Sequence, residues 1–406
     1  MLCFASVVMP TSIACLCDGV ALALLYAFMV AALALEARHC HGLTKTKPAA
    51  LHASELPHHA SELTQLRGAI TLQTVFCILA VDFPLFPRAG AKTPTFGRSV
   101  MDLGVGAAVL AGALTRRRDR QAASRVLVRH APLLLAGIGR ILAVRATSYH
   151  EVHSEYGVHW NFFFTLAIVA LATAHLAPRS SRAGVLTAGC VLVLHQMALS
   201  LGGSAFVQHA PRSSLLSANK EGLVSLPGYL ALALAGRAAA DPLQLAWADT
   251  GPTGAHGVGA ARQRRAALLR MTCVDVILWA AAAVADAAVE RTSRRLCNAA
   301  YVLWVLAQVG LVLVLATLRG ARDAPVPPLL AALNRHPLRA FLAANLLTGA
   351  VNLSLDTRRA SDRAAAALLL GYVTLVCGLV LGLERWRRAR LPIGTGTGDG
   401  AHASSD

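Results

Sequence analysis

Long apolar runs, broken by short polar, Arg-rich or Pro-rich stretches, recur from residue 17 almost to the end of the chain. A helix needs about 20 mostly apolar residues to cross the hydrocarbon core of a bilayer. Windows of that length predict spans at 17–36, 67–86, 100–115, 131–147, 160–177, 184–202, 222–238, 267–288, 297–318, 338–356 and 365–384. Leu, Ala, Val and Gly dominate them, and the small residues let helices approach closely where lipid supplies no hydrophobic drive. Backbone exposed to lipid must satisfy its own hydrogen bonds. The pattern therefore predicts an all-α fold, a polytopic transmembrane helical bundle of about ten or eleven spans. Residues 1–384 are expected to form one domain, and 385–406 a basic stop followed by a disordered cytosolic tail rich in Gly, Thr, Ser and Ala.

The composition agrees: of 406 residues, 55% are hydrophobic and only 15% charged, with a mean hydropathy of +0.54, which excludes a soluble domain of this length. The net charge of +17 would suggest nucleic acid in a soluble protein, but here the Arg residues sit in short loops between spans. The positive-inside rule explains them instead, and no nucleic-acid partner is expected. Assigning loops alternately puts Arg116, Arg117, Arg118, Arg120, Arg125, Arg129, Arg179, Arg182, Arg262, Arg264, Arg265, Arg319, Arg322 and the Arg385 to Arg390 cluster on one side, which is read as cytosolic along with the C-terminus. The less basic loops 87–99, 148–159, 203–221, 289–296 and 357–364 then face the lumen or exterior. Residues 1–16 lack a basic n-region, so the first span is expected to act as its own insertion signal.

Nine Cys residues are scattered without Cys-x-x-Cys or paired Cys/His spacing, and they read as packing residues. The segment 37–66 holds His39, His41, His52, His58 and His59 at irregular spacing and reads as a solvated linker. No metal site is expected. No internal repeat is evident, which argues against transporter folds built from duplicated halves.

The candidate chemistry gathers on the presumed lumenal side. In Ala80-Val81-Asp82-Phe83-Pro84-Leu85-Phe86-Pro87-Arg88 a carboxylate stands at the end of an apolar segment, and Lys92 follows across a Pro-rich bend. An ionisable group inside a bilayer costs roughly 2.5–3.5 kcal/mol on insertion scales, so it has a partner or a task. Lys92 is the expected partner of Asp82. A second carboxylate, Asp102, opens the next span in Met101-Asp102-Leu103-Gly104-Val105-Gly106. Glu155, His159, Trp160 and Asn161 enter another span just before Phe162-Phe163-Phe164. Asn219, Lys220 and Glu221 follow, Lys220-Glu221 reading equally as an exposed pair. Asn345 and Asn352 stand seven apart, two helical turns on one face. Arg140, three residues after Gly137 in mid-span, must pair inward or hold an anionic headgroup or phosphate.

Taken in order, Asp82 to Arg88 with Lys92-Thr93, Met101 to Gly106, Glu155 to Phe164, Asn219-Lys220-Glu221-Gly222, Asn334-Arg335 and Asn345 to Thr357 are similar to the signature segments of the GPI-inositol O-acyltransferase family, the PIG-W/Gwt type. The resemblance spans about 67–384 and implies a multi-pass endoplasmic-reticulum membrane enzyme. Such an enzyme moves a fatty acyl group, typically palmitoyl, from acyl-CoA to the inositol 2-hydroxyl of glucosaminyl-phosphatidylinositol during GPI-anchor synthesis. No bound cofactor is implied; acyl-CoA enters as co-substrate. The chain reaches its first signature by residue 82, so one or two N-terminal spans of the family are expected to be missing. It also departs from the family at Ala89-Gly90-Ala91, where a second basic residue and an aromatic are more usual.

Acyl transfer from a thioester to an alcohol needs a base for the hydroxyl proton and a donor for the oxyanion. No Gly-x-Ser-x-Gly elbow is present, so direct attack by the inositol hydroxyl is favoured over an acyl-enzyme. The expected catalytic residues are Asp82 as base and Lys92 as its tuning partner, with His159, oriented by Glu155, as the competing base. Candidate substrate contacts are Arg88, Asp102, Arg140, Glu155, Trp160, Asn161, Asn219, Lys220, Asn345 and Asn352, with Arg140 and the basic cytosolic loops positioned for the CoA phosphates. A lipid transporter or flippase is the alternative, its intramembrane charges lining a substrate path without covalent chemistry. A non-catalytic subunit of a GPI-synthesis complex is a third.

Overall fold

The computed structural model describes residues 60–115, 123–147, 154–248, 258–319 and 326–390. The expected span 17–36, the five linker His residues, Arg116 to Arg118, Arg120, Arg322 and the tail after Leu391 lie outside them. The described residues form fourteen α-helices: α1 (Ala60–Ala80), α2 (Val100–Leu114), α3 (Ala123–Thr147), α4 (Phe162–Leu176), α5 (Ser181–Ala198), α6 (Ser204–His209), α7 (Leu215–Ala218), α8 (Lys220–Val224), α9 (Leu226–Ala248), α10 (Val258–Ala288), α11 (Ala299–Arg319), α12 (Pro328–Arg335), α13 (Pro337–Ser354) and α14 (Asp362–Ala389). Among the described residues six stretches are long and apolar enough to cross a membrane: within α1, α3, α10 and α14, and across the runs Ser181–His209 and Lys220–Leu243. Three more apolar helices are shorter. The protein is a polytopic helical membrane protein, as the hydropathy pattern predicts.

Every predicted span within the described residues coincides with a helix, and the differences at the ends have local causes. The window 67–86 runs too late: α1 ends at Ala80, because Pro84 and Pro87 cannot continue a helix and disfavour helical backbone in the residues before them. The window 184–202 contains a break, since α5 gives way to a π turn at Leu199–Gly203 where Gly202 takes φ 121°. Helix starts are set by side-chain caps. Ser99, Asn161, Ser180 and Ser361 each accept a backbone N–H from the first turn they precede.

Two hydrophobic cores share α1. One joins Leu72, Phe76 and Leu79 to Leu330 and Leu333 of α12 and to Tyr372 and Val376 of α14. The other joins Leu66 and Ile70 to Leu110 of α2, Leu232 of α9 and Val305 of α11. Helices α3 and α10 lie at the periphery and leave Leu135, Leu142, Leu269 and Ile277 exposed, an apolar surface suited to lipid tails. Cross-chain bonds show which connections share an end. Asn334 donates to Thr64 and Arg67 to Thr115 at one end. The segments 81–99, 154–161, 199–225 and 289–298 bond to one another at the other.

The α1–α12 contact depends on a glycine, because a Cβ on Gly68 would stand 2.4 Å from the Leu330 carbonyl oxygen, a backbone atom that cannot swing away. Gly68→Val is expected to push the two helices apart and cost at least the roughly 1–3 kcal/mol of core overpacking. Thermal unfolding of the purified variant in detergent checks this, and an unchanged midpoint would contradict it.

Candidate active site

The end of the bundle that gathers four connections is built on a buried ion pair. Asp102 lies at the start of α2, where the Ser99 Oγ accepts its backbone N–H and donates in turn to its Oδ2 at 2.8 Å. The Thr93 backbone N–H reaches the same carboxylate at 3.2 Å, and Arg294 donates from Nε to Oδ1 at 2.8 Å. Asp102 is fully buried and Arg294 is 4% exposed. Behind them Tyr301 donates to the Asp102 carbonyl at 2.8 Å and accepts from the Gly106 N–H at 3.1 Å, fixing α2 to α11. Desolvation works against the Arg294 charge, but the carboxylates of Glu155 and Asp102 offset it, and the guanidinium is held above its ordinary value.

Lys92 lies beyond this pair. Its Nζ donates to both oxygens of Glu155, at 2.9 and 2.8 Å. The expected Asp82–Lys92 ion pair is not formed, and Glu155 does not orient His159. A bend with two prolines carries Lys92 across to the loop before α4, where a carboxylate is available. Burial acts to raise the Glu155 carboxyl, yet Lys92, with Arg294 and Arg140 farther off, more than offsets it and holds the group below the usual carboxylate range. Burial pushes the neighbouring Tyr156 phenol up to about 12 despite the pull of Arg294, so it stays neutral.

Asp82 finds a different partner. Its Oδ2 accepts from Asn352 Nδ2 on α13 at 2.8 Å, and its Oδ1 carries no hydrogen bond among the described residues. Arg88 folds back over the end of α1, its guanidinium donating to the Val81 carbonyl at 3.0 Å and the Phe83 carbonyl at 2.6 Å. It thereby ties down the turn that follows the helix, whose Phe83 carbonyl also accepts the Phe86 N–H. The two Asn residues of α13 do different work: Asn352 reaches Asp82, whereas the exposed Asn345 donates to the Phe341 carbonyl of its own helix.

The remaining candidates shape the walls. His159 is held through its backbone N–H, which donates to Asn219 Oδ1 at 2.8 Å, and its imidazole makes no hydrogen bond among the described residues. Gly157 takes φ +120°, and a Cβ there would fall 2.6 Å from the Asn219 Cα, so only glycine lets these two loops meet. Asn161 caps α4 and donates to the Gly137 carbonyl of α3 at 3.0 Å, while the Trp160 indole donates to Thr165 at 3.0 Å. Lys220 and Glu221 are buried rather than an exposed pair: Lys220 donates to the Ala210 carbonyl, and Glu221 is ion-paired with Arg212 and with Arg295 at 2.8 Å. Arg140 is exposed on the peripheral α3, and its charge acts on Glu155 and Tyr156.

Loop 289–298 supplies the groups that sequence reading missed. Besides Arg294 and Arg295 it holds Glu290, which accepts from Gln196, Ser204 and Asn298, and Thr292, which bonds Asp286 and Arg98. A polar Glu-Arg-Thr-Ser-Arg-Arg run between two apolar helices is the only sequence signal of this role. Among the described residues no three His, Cys, Asp or Glu side chains gather as a metal site.

The arrangement offers one open carboxylate oxygen on Asp82 and one ammonium on Lys92, 39% exposed, with its counter-ion supplied. Both stand at the same end of the bundle on a buried scaffold. The chain is 36% identical over 400 residues to the GPI-anchored wall transfer protein 1 of Aspergillus fumigatus, covering 86% of this chain and 77% of that protein. It is 35% identical over 391 residues to the Emericella nidulans protein of the same name, covering 84% and 77%. It is 30% identical over 373 residues to the phosphatidylinositol-glycan biosynthesis class W protein of Dictyostelium discoideum, covering 79% and 73%. The sequence family described as GWT1 matches residues 1–383, nearly the whole of the described bundle, and the chain therefore belongs to the GWT1 family.

Proposed function

We propose that this protein transfers a fatty acyl group, palmitoyl in the first instance, from acyl-CoA to the inositol 2-hydroxyl of glucosaminyl-phosphatidylinositol. Its family gives it a role in GPI-anchor biosynthesis. The acylation chemistry is our reading, and with it the endoplasmic reticulum as the compartment and a cytosolic C-terminus.

What supports Asp82 as the base is its half-engaged carboxylate: Asn352 fixes Oδ2 and leaves Oδ1 open to take a proton. In the step we propose, the inositol hydroxyl oxygen bonds to the thioester carbonyl carbon as Asp82 Oδ1 removes its proton. The C–S bond then breaks, and the CoA sulfur leaves as a thiol with the proton returned from Asp82. Two of the three ammonium hydrogens of Lys92 face Glu155, which leaves one for the thioester oxygen as negative charge develops there. Asp102 and Arg294 act at a distance, holding the segment between Ser99 and Thr93 so that Lys92 is presented. His159 lacks any group that would fix its ring for proton transfer, which favours Asp82 over it.

Membranes containing the protein, given labelled palmitoyl-CoA and glucosaminyl-phosphatidylinositol, are expected to form an inositol-acylated product. Asp82→Asn should lower kcat about 10²–10⁴-fold with little change in KM. An equal rate in Asp82→Asn together with a loss in His159→Ala would transfer the role of base to His159, and movement of unmodified lipid without acylation would favour a flippase.

Arg294→Met strands the Asp102 carboxylate, and leaving one partner of a buried pair alone costs about 3–5 kcal/mol. The double variant Arg294→Met with Asp102→Leu should recover part of that loss, read as thermal unfolding midpoints in detergent. A double variant no more stable than the single would show that the pair is not what Arg294 contributes.

The Lys92–Glu155 pair carries a pH signature. Because the folded Glu155 carboxyl lies below its ordinary value, its stabilising contribution is complete above the unfolded pKa of about 4.3 and is lost as pH falls through the folded value. The stability difference between the parent and Glu155→Gln is therefore expected to be constant near neutrality and to shrink only in acid. A difference that shrank between pH 6 and pH 8 would assign it to another group.

A further inference from the structure

The opposite end of the bundle holds a second charge cluster that the proposed reaction does not use. Glu384, 4% exposed near the end of α14, is met by three arginines. Arg387 donates to both its oxygens at 3.2 and 3.0 Å, Arg388 donates to Oε1 at 3.0 Å, and Arg335 of α12 lies 3.5 Å from Oε2. His336 Nε2 stands 3.2 Å from the same Oε2, and its Nδ1 faces Arg339 Nη1 at 3.5 Å. The His336 ring thus stands between a fourth arginine and the glutamate.

One carboxylate cannot neutralise these cations. The side chains of Arg335 and Arg388 are 40% and 60% exposed, and their Nη groups make no hydrogen bond among the described residues. Glu384 takes a hydrogen bond from Arg388 Nε and an ion-pair contact from Arg335 Nε, so it engages neither pair of forked Nη donors. Such forks match phosphate geometry. Their depth is also right. The 28 residues of α14 are about 42 Å long at 1.5 Å per residue, against a hydrocarbon core of about 30 Å, so the last turns project into the headgroup layer. Trp386, 56% exposed with Arg390 stacked 3.9 Å over its ring, has the placement of an interfacial anchor.

We propose that Arg335 and Arg388, held by Glu384, form a phosphate-binding site at the headgroup level of the membrane face opposite the candidate active site. The phosphate belongs to an anionic phospholipid or to a soluble nucleotide carrying phosphates of the coenzyme A type. The site stands independently of the acylation chemistry.

Native mass spectrometry of the full chain released from phosphatidylcholine nanodiscs, with and without phosphatidylglycerol, tests the lipid source, and titration with adenosine 3′,5′-bisphosphate tests the nucleotide source. Arg335→Gln combined with Arg388→Gln is expected to weaken retention of the bound probe at least tenfold. Arg385→Gln removes an exposed arginine outside the cluster and should leave retention unchanged. Unfolding midpoints in phosphatidylcholine alone verify that each variant is folded. Retention of phosphatidylglycerol alone identifies a lipid site, and retention of the bisphosphate alone a nucleotide site. Retention of neither probe, or equal loss in Arg385→Gln and the double variant, overturns the proposal, the second outcome meaning a diffuse basic belt.

Discussion

The Asp102–Arg294 pair is the constraint on which the candidate site depends. A charge stripped of water must be repaid by a partner and by hydrogen bonds to its remaining lone pairs, and this carboxylate has both. Its partners come from two connections far apart in sequence: the stretch joining α1 to α2, through Thr93 and Ser99, and the loop before α11, through Arg294. No geometry of those loops that separated the two charges would be tolerated. The pair therefore specifies how the loops stack, and the exposed Lys92–Glu155 contact is assembled on top of it.

Burial divides the charged groups of this end into two kinds. Asp102, Glu221, Arg294 and Lys220 are enclosed and each is bonded within the protein, and they act as scaffold. Asp82, Lys92 and His159 keep at least one polar atom free of the scaffold. A reacting group needs that freedom, because an atom already spent on a strong internal bond must give it up before it can serve a substrate. This contrast, more than the number of polar residues, separates the residues we place in the reaction from those that position them.

The spans were readable in the sequence because each depends on its own twenty or so residues: lipid selects for apolar length, and proline and glycine mark the ends. Asp82 and Lys92 stood out for the same reason, being polar where local chemistry makes polarity costly. Their partners did not. Lys92 and Glu155 are 63 positions apart and Asp82 and Asn352 are 270 apart, so only the packed bundle decides who meets whom. Loop 289–298 escaped notice because its arginines look like ordinary loop charge until Arg294 is seen to be buried. Glu384 was hidden in the same way within a basic cluster that reads as a helix stop.

Helix α1 contributes side chains to both hydrophobic cores, whereas α3 and α10 lie at the rim. A mutation in the middle of α1 is thus felt by neighbours on either side, and few substitutions will leave both content. The rim helices meet lipid tails that accept almost any apolar shape. Descendants of this sequence are then free to drift on α3 and α10, tracking the thickness and composition of whatever membrane they inhabit, while the centre stays nearly still.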